Sequence, residues 1–132
     1  MLTPLSVVKL MQHSDVHKNL GVSDICRRFI PPIELSQYVI YAEGDDLKAF
    51  ASIGFFSDRV SDGFKAGTHK IQAEDWNSGP NIWLADVIAP FGHARQITRG
   101  ARTLLCGKGY KGHRINFRRN YGEKIRYSEA VI

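Results

Sequence analysis

Residues 82–92 read "IWLADVIAPFG", Ile82 to Gly92. From Ile82 to Ala89 the apolar run is continuous rather than strictly alternating, which predicts a central strand covered on both faces. The turn "APFG" ends it. Residues 93–106 then set Ile97, Ala101, Leu104 and Leu105 on one side of a helix, with Arg95, Arg99 and Arg102 elsewhere. One residue breaks the apolar pattern. Asp86 stands among Trp83, Leu84, Val87 and Ile88, and an ionised carboxylate is expensive to bury unless something pairs with it or donates hydrogen bonds to it. It belongs either to a satisfied structural network or to a cleft where it does chemistry.

Upstream, "PLSVVKLMQHS" has helical spacing with Pro4 suited to a first turn. "SDVHKNLG" predicts a second short helix capped by Ser14, and "SDICRRFI" a third from Ser23, ended by Pro31-Pro32. The period then changes to that of strands at 37–42 and 47–55, joined around Gly44-Asp45. Residues 57–73 predict a short helix and a connection, and "DWNSGP" a turn. Beyond the glycine-rich linker "GKGYKG", "HRINFRR" and "EKIRYSEAVI" predict two last strands. The order implies one domain over residues 1–132, α/β or α+β, with a twisted mixed sheet flanked by helices.

Composition narrows the function classes. The chain has 132 residues, 43% hydrophobic and 23% charged, ordinary for a globular domain. No twenty-residue apolar run and no signal-peptide pattern occurs, so the expectation is a cytoplasmic protein without a membrane span. The two cysteines, Cys26 and Cys106, suggest no disulfide framework, and the five histidines form no metal-ligand pattern. Charge is lopsided: residues 1–93 carry 8 Lys/Arg against 11 Asp/Glu, and residues 94–132 carry 10 against 2. A basic third can hold an anionic partner. Its aromatics Phe117, Tyr121 and Tyr127 interleave with Arg118, Arg119 and Arg126 as on a nucleic-acid surface, but no recognised binding motif accompanies them.

Two further residues bear on chemistry. With Ser14 as cap, His17 falls at the third helical position, where the dipole disfavours added positive charge, a setting for a general base. A carboxylate such as Asp86 can orient an imidazole and stabilise its charged form. The strand-to-helix turn after Asp86 exposes backbone amides, a seat for a phosphorylated carrier or cofactor arm.

"SDVH" (14–17), "FIPPIELSQYVIY" (29–41), "AEDWNSGPNIWLADVIAPFG" (73–92) and "HRINF" (113–117) resemble the toxin-activating lysine acyltransferases, which acylate haemolysin-type RTX protoxins. The resemblance covers roughly residues 10–118 and is closest from Asp75 to Gly92. It implies a fold related to the Gcn5-type N-acetyltransferases, and transfer of a fatty acyl group from acyl carrier protein to internal lysines of a protoxin. It also implies a homodimer, and no tightly bound cofactor or metal. The family's catalytic histidine corresponds to His17 and its essential aspartate to Asp86. The chain departs from the family in four places: "SVVKLMQ" replaces the usual tryptophan-rich approach to Ser-x-x-His, Arg28 stands where an asparagine is usual, His93 where an aspartate is usual, and the C-terminal region is short.

On this reading His17 takes the proton of an attacking lysine amine while Asp86 orients the imidazole. Ser14 is auxiliary, as a cap, and a covalent route would run through Ser14 or His17. Val87, Ile88, Ala89 and Gly92 are donor-binding candidates through their backbone, and Arg95, Arg99 and Arg102 through their charge. Phe29, Ile33, Phe50, Phe55, Trp83 and Phe91 are candidate walls of an acyl channel. Two alternatives stand beside it: a coenzyme A-dependent N-acetyltransferase using an acyl coenzyme A donor, and a non-enzymatic basic module that binds nucleic acid.

Overall fold

Five strands follow one another across the sheet in chain order: β1 (Tyr38–Glu43), β2 (Asp46–Phe56), β3 (Asn81–Ile88), β4 (Arg114–Tyr121) and β5 (Lys124–Val131). This computed structural model describes residues 2–121 and 124–132, the side chains of residues 119–121 and 124 excepted. Neighbours pair antiparallel except β3 and β4, which are parallel. A parallel pair needs a crossover, and the amphipathic helix α5 (Ala94–Gly107) supplies it. The result is an α+β domain with a mixed sheet. Gly44 turns the first hairpin with φ +62°, a backbone conformation that glycine adopts without a Cβ penalty.

Each face of the sheet has its own cover. Helix α5 lays Ile97, Ala101 and Leu105 over Ala49, Ala51, Ile53, Ile82 and Leu84. The opposite face is shared. At one end α1 (Pro4–Met11), α2 (Val22–Arg28) and α3 (Ile30–Glu34) bring Val7, Leu10, Met11, Phe29 and Ile33 onto Phe50 and Ile88. At the other, α4 (Asp58–Ala66) and the 3-10 turn Ala73–Asp75 close Val60, Phe64 and Trp76 over Phe56 and Trp83. Among the described residues, no helix is long and apolar enough to cross a membrane.

Three local expectations are corrected. Residues 14–19 form turns, not a helix. The next helix starts at Val22 with Gly21 as its cap rather than at Ser23. Pro31 and Pro32 do not end the helical region. They sit in the first turn of α3, where a missing N–H costs no intrahelical bond.

Candidate active site

A β-bulge turns Asp86 towards the site. Ser52 pairs with Asp86 and Ile53 with Leu84, so Ala85 is an extra residue in β3. In an unbroken alternation residue 86 would join Ile82 and Leu84 beneath α5. The extra residue shifts the phase, and Asp86 faces α2 and the 14–17 turn on the opposite side of the sheet.

That turn is built by Ser14. Its carbonyl accepts from the amides of His17 (3.0 Å) and Lys18 (2.8 Å), which brings Ser14 Oγ to 2.7 Å from His17 Nδ1. The hydroxyl therefore serves the imidazole, not a helix N-terminus, and the dipole argument for His17 lapses with the helix. Ser14, His17 and Asp86 are only 8%, 2% and 5% exposed. The ring of Phe29 packs edge-on against the imidazole at 5.9 Å.

Asp86 has a partner that sequence reasoning read only as a family departure. Arg28 donates through Nε to Oδ2 at 3.3 Å and through Nη2 to Oδ1, a two-pronged guanidinium–carboxylate fork. The backbone amide of Asp86 donates to Ser52 Oγ at 3.1 Å. Burial alone would raise the carboxyl's pKa; the adjacent His17 and the charge and hydrogen bonds of Arg28 outweigh it and hold Asp86 well below the usual carboxylate range. Burial would likewise lower the Arg28 pKa, but Asp86 raises it overall.

His17 Nε2 lies 3.6 Å from Asp86 Oδ1, too far for a hydrogen bond, and has no other partner among the described residues. Electrostatics assigns the tautomer. A lone pair aimed at a carboxylate is repelled and an N–H is attracted, so the proton of a neutral ring sits on Nε2. Nδ1 then accepts from the Ser14 hydroxyl. The array has the Ser–His–Asp logic with the two ring nitrogens exchanged.

The array opens onto a cleft of about 780 Å³. β3 and β4 pair only at Ile82–Ile115, Trp83–Asn116 and Leu84–Phe117. Beyond those residues β3 stays with β2 and β4 with β5, so the two parallel strands part and the cleft fills the gap. Ser14 and Asp86 are on its wall and His17 lies behind them. Of the donor-binding candidates, Val87, Ala89 and Arg95 also line it. Ile88 is wholly buried against Phe29 and Phe50, and Gly92 is exposed and not part of the lining. Arg99 and Arg102 are exposed farther along the helix face that Arg95 begins.

The residues expected as walls of an acyl channel lie elsewhere, most of them in the cores. Phe29, Ile33, Phe50, Phe55 and Trp83 pack in or against the three cores, and the exposed Phe91 stacks near His13 and Lys48. None lines the cleft, whose apolar wall is Val16, Leu84, Val87, Ala89, Pro90 and Phe117. The basic third presents no stacking platform in its described side chains. Phe117 lines the cleft, and Tyr127 packs against Trp83 and donates its hydroxyl to the Phe64 carbonyl. The side chains of Arg119 and Tyr121 lie outside the described residues.

Comparison with known proteins decides the family, since the model of the RTX toxin acyltransferase family matches residues 5–129. The chain belongs to that family. Lysine-acyltransferase RtxC of Vibrio cholerae is 34% identical over 97 residues, 73% of this chain and 63% of that protein. Protein-lysine myristoyltransferase RtxC of Kingella kingae is 28% identical over 84% of this chain and 66% of its own length. Protein-lysine myristoyltransferase HlyC of Escherichia coli is 27% identical over 93% of this chain and 72% of its own length. The match to the Vibrio relative thus spans less than two thirds of that RTX acyltransferase.

Proposed function

We propose that this chain is a protein-lysine acyltransferase that moves a fatty acyl group from acyl carrier protein to internal lysines of an RTX-type protein. The observation that carries the reading is the buried Ser14–His17–Asp86 array opening where two parallel strands part. A gap between parallel strands suits a pantetheine arm laid across it, and supports a relation to the Gcn5-type N-acetyltransferases. Arg95 at the start of α5, continued by Arg99 and Arg102, suits the acidic carrier or its phosphate.

The chemistry follows from the tautomer. The lysine Nζ attacks the thioester carbonyl, and its proton passes through Ser14 Oγ to His17 Nδ1. Asp86 stabilises the imidazolium through Nε2–H, and Arg28 keeps Asp86 ionised and fixed. Collapse of the tetrahedral intermediate breaks the C–S bond, and His17 returns the proton to the departing thiolate. Backbone amides of β3 near Val87 and Ala89 are the candidates for steadying the oxyanion.

A second route rests on one specific distance. Ser14 Oγ is on the cleft wall and 2.7 Å from its base, so it can itself attack and form an acyl-enzyme. Rapid-quench mass spectrometry with acyl donor and no acceptor separates the two. Direct transfer expects unmodified enzyme; an acylated Ser14 that forms at the turnover rate would replace it with the covalent route. The function itself is tested by incubating long-chain acyl carrier protein, enzyme and an RTX-type protein, then mapping hydroxylamine-resistant acylation. Amides on internal lysines are expected. Their absence with folded enzyme and loaded carrier, or a preference for acetyl coenzyme A over the carrier, would reject the reading.

A further inference from the structure

A second cavity of about 270 Å³ lies on the α4 side of the sheet. It shares Ala85, Asp86 and Arg118 with the large cleft. The shared residues put the two cavities side by side just beyond the last paired residues of β3 and β4, Leu84 and Phe117. The bulge lies at this boundary. Its extra residue, Ala85, is 2% exposed, lines both cavities and places only a methyl group between them.

The floor of the cavity is apolar. Phe64, Ile71 and Trp76 are buried there, and Tyr127 closes one side against Phe64 and Trp83. Its polar rim is Arg27, Arg28, Lys70 and Arg118, with His69 held by Asp75 behind it. Arg27 is paired with Asp24 and Arg28 with Asp86, while Arg118 lies over the Phe64 ring with its Nε buried and without a hydrogen-bond partner among the described residues. The lining holds one carboxylate, Asp86, already forked by Arg28. A lysine ammonium entering here would meet net positive charge. The large cleft carries Asp15 as well as Asp86 on its wall and suits the amine better.

We propose that the second cavity receives the acyl chain of the donor, threaded past Ala85 so that the thioester carbonyl stops at that boundary, beside Asp86. The carrier arm and the acceptor lysine then share the large cleft. This assignment rests on the acyltransferase reading and adds what sets chain length: the bore at Ala85 and the depth to the rim at Ile125. An uncharged chain fits both the aromatic floor and the cationic rim, because it passes the guanidinium groups without having to pair with them.

Both tryptophans of the chain belong to the core on this side of the sheet, and neither lines the large cleft. A pantetheine thioester whose long acyl chain is brominated at its far end should therefore quench tryptophan fluorescence, saturably and at one probe per chain. Ala85→Leu should abolish the quenching. In transfer assays with carrier proteins bearing chains of graded length, Ala85→Leu should lower the long-to-short ratio of kcat/KM by about tenfold or more. The half-exposed Ile125, substituted as Ile125→Trp, narrows the outer end without touching the core and should lower the same ratio only for the longest chains. Absence of quenching in the wild type, or equal losses for every chain length in both variants, would overturn the assignment. So would a raised KM for the acceptor with an unchanged chain-length profile, which would make this cavity the lysine's entrance. Transfer failing with every donor in the wild type would instead defeat the acyltransferase reading, a result the binding measurement keeps separate.

Discussion

Asp86→Asn should lower kcat by about a factor of 10²–10⁴ while changing the donor's KM little. Asparagine preserves the size of the side chain and its place in β3, so the cleft should survive. What disappears is the charge that faces His17 and balances Arg28, and that the proposed mechanism uses to stabilise the imidazolium. Stability should change too, in a pH-dependent way. The folded-state pKa of Asp86 is held below the 3.8 of an unperturbed aspartate. A depressed carboxyl contributes stability that is fully present above the unfolded value and is lost as pH falls through the folded one. The variant should therefore be less stable than the wild type at neutral pH, and the gap should close progressively below about pH 4. Urea unfolding at pH 7 and pH 3, with turnover measured alongside, checks both halves. A gap that stays constant between those pH values would mean that the charge of Asp86 is not what the site holds.

The strand, its turn and the helix after it were legible because each carries a local period, and the structure keeps β3 and α5 within a residue of their expected limits. So was the demand made by Asp86, since a carboxylate in an apolar run needs a partner wherever the chain folds. The partner's identity was not legible. Arg28 is 58 residues away, and against the family pattern it reads only as a substitution for asparagine. Ser14 misled for the opposite reason. A serine followed by an acidic residue is also how helices begin, and nothing local says that its hydroxyl will turn to a histidine three positions on. The bulge was hidden by the continuity of its own strand. Where every neighbour is apolar, sequence carries no parity, and the side to which Asp86 points depends on its register with Ser52. The cleft walls failed likewise. Apolar residues carry no local mark that separates core from cleft, and the large cleft took Val16, Val87, Ala89, Pro90 and Phe117 instead of the residues expected.

Arg28→Ala should be the most destabilising single change at the site, costing about 3–5 kcal/mol, because it strands a buried carboxylate without its counter-charge. On the proposed mechanism Arg28 is a positioning residue, acting on the reaction by holding Asp86 ionised and oriented. Its removal should raise the Asp86 carboxyl, because burial then acts with less opposition, and an acid limb should appear in kcat/KM at a higher pH than in the wild type. Arg28→Lys keeps a charge but loses the fork, and should restore part of the stability. Pairing Arg28→Met with Asp86→Asn gives the sharpest check. Removing both charges leaves neither stranded, so the double variant should be more stable than the sum of the single losses implies, by at least about 1.5 kcal/mol of coupling. It should nevertheless remain as slow as Asp86→Asn alone, because the imidazolium still lacks its carboxylate. Chemical denaturation of the four proteins, with transfer rates from wild-type pH upward and downward, separates the two roles. Strict additivity of the stabilities would remove the Arg28–Asp86 pair from the account, and recovery of transfer in the double variant would remove Asp86 from the chemistry.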